Sequence, residues 1–154
     1  MRIFVTMLVL LSVLCVTAQA SVTFTPPGST KPMMGNTFTM MPSSEATKIK
    51  STAKVMIGMG KDQKTWMIET HVYNGHKNGL YSVWVMDKTN KVLVKPMKTD
   101  AKGHVKLSYM GTTNPMMYKS INVYYLPNEK AEPGKGAVPM FSFETKKIMP
   151  KGSM

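Results

Sequence analysis

The sequence has 154 residues, a formal net charge of +12, 17 Met and a single Cys. One Cys excludes an intrachain disulfide framework, and the length suits one domain with a core of its own. Lys supplies all the basic residues except Arg2, so the guanidinium groups with which proteins read guanine and clamp phosphates are almost absent. Nucleic acid is therefore not an expected partner.

The first 20 residues have the pattern of a cleaved signal peptide. Arg2 supplies a positive start, a nearly unbroken apolar run extends from Ile3 to Val16, and Ala18 and Ala20 are the small residues typical of a cleavage site. The run is shorter than the roughly 20 residues that a membrane-spanning helix needs. We expect cleavage after Ala20 and export to the periplasm or the cell exterior. The mature chain, residues 21–154, is expected to form a single domain without Cys, Arg or a transmembrane segment.

The mature chain is expected to begin with a strand and an irregular segment. Residues 21–25 alternate between apolar and polar side chains, which predicts a strand. Residues 26–42 are rich in Met and interrupted by Pro and Gly, so we expect at most a short strand near Phe38 and Met40. Ser43 to Glu45 is expected to be a turn. Residues 47–59 then predict a longer strand with one apolar face and one lysine-rich face.

Four further blocks of β-forming residues follow, separated by loops rich in Asn, Asp and Gly. Their period of two predicts strands, and the short polar connections favour an antiparallel meander through residues 65–73, 80–86, 91–94 and 104–109. In the first block the alternation places Met67, Glu69, His71 and Tyr73 on one face. Two more strands are expected at residues 118–126 and 138–143, before a short basic tail.

These patterns predict an all-β protein of about eight or nine strands. No segment has the apolar period of a long amphipathic helix, and no repeat of 20 to 50 residues is present. Strands in regular succession over this length favour an antiparallel two-sheet β-sandwich of immunoglobulin-like or cupredoxin-like type. A small β-barrel is the second choice.

Methionine is the unusual feature of the composition. Leu occurs only four times in residues 21–154, so part of the Met content is expected to fill core positions that Leu normally occupies. Met67, Met86 and Met140 lie within predicted strands and are assigned to packing. Other Met residues lie in or beside loops rich in Gly, Pro, Thr and Asn, where packing gives no reason for them to cluster: Met33, Met34, Met40, Met41, Met110, Met116 and Met117.

The loop methionines are candidate metal ligands. Thioether sulfur is soft and prefers Cu(I), and it is the sulfur ligand that remains in an oxidising compartment when Cys is absent. Met-rich exported proteins that handle copper resemble this chain in that respect. His71, His76 and His104 are candidate additional ligands. Copper held by Met and His, for buffering or for delivery to a metal-handling protein of the cell envelope, is the function we expect.

Two other metal chemistries were weighed against Cu(I). A type 1 copper site needs a Cys thiolate, which the mature chain lacks, so electron transfer by blue copper is excluded. A zinc or hard-cation site is an alternative, because Glu69 and His71 share a strand face, His76 follows the next turn and His104 begins a later strand.

Enzymatic function is not expected. The sequence has no nucleophile elbow, no Cys nucleophile after residue 20, no HExxH helix and no phosphate-binding glycine loop. The alternative to metal binding is a non-catalytic structural or interaction domain of the cell envelope. Its lysines would contact an anionic envelope surface, and its methionines would supply an adaptable contact surface for a protein partner.

Overall fold

The computed structural model describes residues 21–24 and 33–147, and side chains over residues 35–146. The expected signal peptide and the end of the basic tail lie outside the described residues. The described residues form ten strands, one α-helix and two 3-10 helices, which in chain order are β1 Ser21–Phe24, β2 Met33–Thr39, β3 Met41–Pro42, α1 Ser44–Lys48, β4 Thr52–Met59, β5 Trp66–Tyr73, β6 Leu80–Met86, β7 Lys91–Lys98, β8 Val105–Gly111, a 3-10 helix Pro115–Met117, β9 Ser120–Leu126, β10 Val138–Glu144 and a 3-10 helix Thr145–Lys147.

The strands form two five-stranded sheets. The first sheet has the order β1-β2-β4-β5-β8, and the second has the order β3-β10-β9-β6-β7. Every pairing between these strands is antiparallel. The predicted all-β, antiparallel two-sheet β-sandwich is therefore confirmed. The count exceeds the expected eight or nine because β3, with only two residues, was not expected as a separate strand.

The core lies between the two sheets and follows the predicted alternation. The first sheet contributes alternate residues of β4 and β5 to the core, including Val55, Ile57, Ile68 and Val72. The second sheet contributes the fully buried Tyr81, Val83, Val85, Ile121, Val123 and Met140. Burial raises the pKa of the Tyr81 phenol, whose oxygen accepts a hydrogen bond from the backbone N–H of His76 at 3.0 Å. Met140 is the core packing residue that its position in a strand predicted.

The predicted meander is correct in its pairing of β6 with β7 but wrong in its other two pairings. β5 pairs with β4 and β8, whereas β6 pairs with β7 and β9 in the other sheet. The chain therefore crosses between the sheets after β5 and again after β7. The two loops that cross between the sheets, residues 74–79 and 99–104, are hydrogen-bonded to each other. Gly75 N donates to Gly103 O at 2.8 Å, and Thr99 N donates to Gly79 O at 2.9 Å. Asn74 and Asn78 do adopt the positive φ that Asn-Gly pairs indicate, but in a connection between sheets.

The segment before β4 is more regular than expected. Residues 33–39 form a seven-residue strand that pairs with β1 and β4. The expected turn at Ser43 to Glu45 instead begins helix α1, where the Ser43 hydroxyl caps Ala46 N at 3.3 Å. Thr47 and Lys48 therefore belong to a helix, and the following strand starts at Thr52. Ala46 is fully buried, so packing against the core stabilises a helix that is too short to be stable alone.

Candidate functional site

The outer face of the first sheet, the side away from the core, carries the side chains of interest. Alternation within each strand and the register between strands place on this face Thr37 of β2, Lys54 and Met56 of β4, Met67, Glu69, His71 and Tyr73 of β5, and Lys106 and Met110 of β8. Across the sheet, Glu69 is paired with Met56 on one side and Ser108 on the other. His71 is paired in the same way with Lys54 and Lys106.

Glu69 is a buried carboxylate at the centre of this face. Only 5% of the residue is exposed, although it lies on the side of the sheet away from the core. Its Oε1 lies 2.6 Å from His71 Nε2, and its Oε2 lies 2.7 Å from Lys106 Nζ. Burial by itself would raise the pKa of Glu69, but the hydrogen bonds and positive charges of His71 and Lys106 outweigh burial and lower it. Glu69 is therefore an ionised carboxylate with both oxygens engaged.

The contact with Glu69 fixes the orientation of the His71 ring. A carboxylate only accepts hydrogen bonds, so Nε2 of His71 carries the hydrogen that points at Glu69. Among the described residues, Nδ1 of His71 has no hydrogen-bond partner. In the neutral imidazole this nitrogen presents its lone pair away from Glu69. A carboxylate that holds one ring nitrogen while the other is available is the arrangement in which histidine binds metals.

Beside this ring lies a cavity of about 170 Å³, lined by Thr37, Lys54, Met56, Glu69, His71 and Tyr73. One thioether and one imidazole therefore line the same cavity. The Thr37 hydroxyl oxygen is buried and has no hydrogen-bond partner among the described residues. A buried hydroxyl without a partner is costly to the folded state.

A second cleft of about 150 Å³ adjoins the first and shares His71 and Tyr73 with it. Its other lining residues include His104 and Lys106. The three rings form a row, with ring centroids 6.2 Å apart for His71 and Tyr73 and 5.4 Å apart for Tyr73 and His104. The Tyr73 ring therefore lies near both histidine rings, and His71 and His104 line the same cleft.

Two further methionines lie on the same face, one register step from Glu69. Met67 of β5 is paired directly with Met110 of β8, and directly opposed residues have Cβ atoms about 4.5 to 5.5 Å apart. Met67 is fully buried, yet among residues 35–146 the cluster between the sheets does not include it. Met67 is therefore buried, as its assignment to packing predicted, but its position on β5 puts it on the outer face and not between the sheets. Met110 is 52% exposed.

The other candidate ligands are distributed over the molecule. Met40 is buried in the core, and Met41 is exposed on β3 of the second sheet. Met116 is half-buried against the core, and Met117, in the same 3-10 helix, is 75% exposed. Met33 and Met34 belong to β2, where they pair with Phe24 and Thr23, and their side chains lie outside those described. Met86, assigned to packing, is half-buried in β6.

The three histidines separate into two places. His71 and His104 flank Tyr73 on the first sheet, whereas the His76 ring packs on Tyr125 of the second sheet at 4.2 Å. Within residues 35–146, no three His, Cys, Asp or Glu side chains come together in a way that could hold a metal ion. The zinc alternative, which needs Glu69 and several histidines at one point, has no support in this geometry.

The sequence identified part of this face and missed the rest. It placed Met67, Glu69, His71 and Tyr73 on one side of a strand, and the register confirms that placement. It did not connect Met56 with His71, although Met56 was on the lysine-rich face of its strand. The short turn after Met59 could have predicted that Met56 and His71 lie on the same face. Such a turn makes β4 and β5 a hairpin and puts their polar faces on the same side of the sheet.

Comparison with known proteins adds no assignment. No family, curated protein or solved structure matches the chain. Within the described residues, no helix is both long enough and apolar enough to cross a membrane.

Proposed function

We propose that this protein is an exported, non-catalytic protein that binds a soft metal ion, Cu(I), for buffering or for delivery to another metal-handling protein of the envelope. One observation supports this function above the others: Met56 and His71 line the same cavity on the outer face. Thioether and imidazole together suit Cu(I) better than they suit Zn²⁺ or a hard cation. We assign Met56 and His71 as the primary ligands.

Met67 and Met110 are the next thioethers along this face, Met67 fully buried and Met110 exposed. Met56 is paired with Glu69, and Met67 is two residues from Glu69 along β5. Such diagonal neighbours on a sheet face have Cα atoms about 7 to 8 Å apart, a gap that long Met side chains reach across. Met110 follows on the far side of Met67. Met56, Met67 and Met110 therefore follow one another across this face, and Met110 is the exposed end of the row.

Glu69 is a positioning residue in this proposal. It accepts the Nε2 hydrogen of His71 and so orients the ring, with Nδ1 as the nitrogen that faces away from the carboxylate and would bind the metal. Its oxygens are engaged by His71 and Lys106, and a hard carboxylate is a poorer partner than sulfur or imidazole for Cu(I). Removal of its charge is expected to weaken binding through the orientation and basicity of His71.

The charges around the cavity favour a monovalent ion. Lys54 lines the cavity, and the charge of Lys106 is offset by Glu69. A cation that enters therefore meets a net positive surrounding, and its repulsion rises in proportion to its own charge. Cu(I) meets half the repulsion that Zn²⁺ or Cu(II) meets at the same point. Polarizable sulfur ligands compensate this cost for Cu(I) but not for a hard divalent ion.

Titration of the purified protein with Cu(I) under reducing, oxygen-free conditions, against a chromogenic Cu(I) chelator, tests the proposal. Ag(I), which is redox-inert, serves as a second probe. The protein is expected to bind one Cu(I) with micromolar or tighter affinity, and Zn²⁺ at least about tenfold more weakly. Met56→Leu and His71→Gln are each expected to lower Cu(I) affinity by about tenfold or more, since even residues that only orient a ligand have effects of that size.

Met117→Leu and Met41→Leu are the matched controls, because both side chains are exposed and lie away from the cavity. They keep the number of Met residues equal to that of Met56→Leu. Their affinities are expected to equal that of the wild type. Absence of Cu(I) binding by the wild type, or equal losses in Met56→Leu and Met117→Leu, overturns the assignment of the site. Circular dichroism and thermal melts show whether each variant remains folded.

A further inference from the structure

One edge of the sandwich carries several exposed positive charges. β7 is the last strand of the second sheet, β8 is the last strand of the first sheet, and the two pack beside each other. The residues of these strands and their flanking turns include six exposed lysines, which we call the basic edge: Lys88, Lys91, Lys95, Lys98, Lys102 and Lys106. β7 extends to Lys98, four residues beyond its predicted end, and this extension brings Lys95 and Lys98 into the edge.

Most of this charge is not neutralised within the protein. Of the three acidic residues nearby, Asp87 lies 3.6 Å from Lys119, and Glu69 engages Lys106. Asp100 uses Oδ1 to accept the backbone N–H groups of Lys102 and His104, each at 2.8 Å. Among the described residues, Lys88, Lys95, Lys98 and Lys102 have no carboxylate partner. The basic edge is therefore a net positive surface available to an anionic partner.

Apolar side chains are interspersed with these lysines. Val92 and Met97 of β7 are both exposed, and Pro96 between Lys95 and Met97 is exposed as well. Lys and Pro on an edge strand also hinder pairing with strands of other molecules. That role needs neither the exposed Val92 and Met97 nor the lysines in the turns on either side of β7. The combination of basic and apolar side chains is typical of surfaces that adsorb to anionic lipid.

We infer that the basic edge is a binding surface for an anionic lipid membrane, at which the protein adsorbs without spanning it. Lysines meet the headgroup charge as point charges, which requires none of the bidentate geometry that Arg provides. Val92 and Met97 contact the apolar region just below the headgroups. Attraction to a soluble polyanion would use the same lysines, but it would gain nothing from the two apolar side chains.

Sedimentation of the purified protein with phosphatidylglycerol-containing vesicles tests this inference, with pure phosphatidylcholine vesicles as the neutral reference. Binding is expected to the anionic vesicles alone and is expected to fall steeply with added salt. The triple variant Lys88→Gln, Lys95→Gln, Lys98→Gln is expected to lower the partition coefficient by about tenfold or more. Its matched control removes three exposed lysines away from the basic edge, Lys50, Lys130 and Lys146, and is expected to change binding by less than about threefold.

The pair Val92→Ser and Met97→Ser separates lipid from a soluble polyanion. It is expected to weaken vesicle binding while leaving retention on a heparin column unchanged, because only the membrane offers an apolar phase. Lack of vesicle binding at low salt, equal losses in the two lysine triples, or unchanged vesicle binding in the Ser pair overturns the inference. All of these variants leave Met56 and His71 intact, so Ag(I) binding and circular dichroism report whether the fold persists.

Discussion

Glu69 and His71 are two residues apart on β5, and Glu69 Oε1 meets His71 Nε2 at 2.6 Å on the side of the sheet away from the core. This contact is possible because residues two apart on a strand point to the same face. It fixes the orientation of the imidazole and leaves Nδ1 as the nitrogen that does not contact Glu69. The first prediction follows from this pair.

Glu69→Gln is expected to lower Cu(I) affinity by about 10 to 100-fold, the usual effect of removing a carboxylate that orients a ligating histidine. Gln keeps the volume of Glu and can still accept one hydrogen bond, so the change is mainly in charge. Chelator competition on both proteins measures the ratio. A merely structural role of Glu69 would instead lower the melting temperature and leave the affinity of the folded protein unchanged, and that outcome would contradict the positioning role.

Lys54→Gln is expected to raise Cu(I) affinity by about threefold to tenfold, because the positive charge that lines the cavity is removed. The gain is expected to shrink at high ionic strength, since salt screens an exposed charge. Lys50→Gln removes the same charge at the end of helix α1 and is the control. Titrations of the three proteins at low and high salt give the comparison. A gain of equal size in Lys50→Gln would show that net charge, and not the cavity, determines the effect.

The sequence was sufficient for the alternation of each strand but not for the partner of each strand. The alternation of side chains between the two faces of a strand placed Met67, Glu69, His71 and Tyr73 on one side of β5. This alternation depends only on the local sequence. The pairing of β5 with β8 joins residues about 40 apart, and nothing local distinguishes it from the meander that the short connections suggested. Met110 became a neighbour of Met67 only through that long-range pairing.

The burial of side chains on the outer face of the first sheet also could not be predicted from the sequence. Glu69 alternates with core residues, so the pattern implied that it is exposed, yet it is buried. For Glu69 the reason is visible, since its two ionic partners His71 and Lys106 lie directly over its oxygens. The short helix α1 was missed for a related reason. Its stability comes from the buried Ala46 and the Ser43 cap, and five residues carry no measurable period.

Thr70→Val is expected to stabilise the protein. Thr70 is fully buried on the core side of β5, and its hydroxyl has no hydrogen-bond partner among the described residues. Val has nearly the same shape and also favours strands, so the substitution removes an unsatisfied polar group and leaves no cavity. We expect a gain of about 1 kcal/mol in the free energy of unfolding, measured by urea denaturation. A loss of stability would show that the hydroxyl has a partner, such as a buried water.

Asp62 should make the stability of the β4–β5 hairpin depend on pH. Its Oδ1 accepts Lys64 N at 3.0 Å and Thr65 N at 2.9 Å, and its Oδ2 accepts the Thr65 hydroxyl at 2.6 Å. The hydrogen bond from the Thr65 side chain, followed by those from the Thr65 and Lys64 backbones, lowers the pKa of Asp62 from 3.8 to about 2. A carboxyl group whose pKa is lower in the folded state stabilises that state above its unfolded pKa. The contribution of Asp62 is therefore complete above pH 3.8 and lost as the pH falls towards about 2.

Asp62→Ala is accordingly expected to melt at a lower temperature than the wild type at neutral pH, and the difference is expected to shrink as the pH falls below 3.8. Thermal melts of both proteins, stepped from about pH 7 to about pH 2.5, measure this difference directly. Glu129→Ala, which removes an exposed carboxyl from the β9–β10 loop, serves as a charge-matched control. Its difference from the wild type is expected to stay small throughout. A constant difference between Asp62→Ala and the wild type across this range would mean that the turn depends on the shape of the Asp62 side chain and not on its charge.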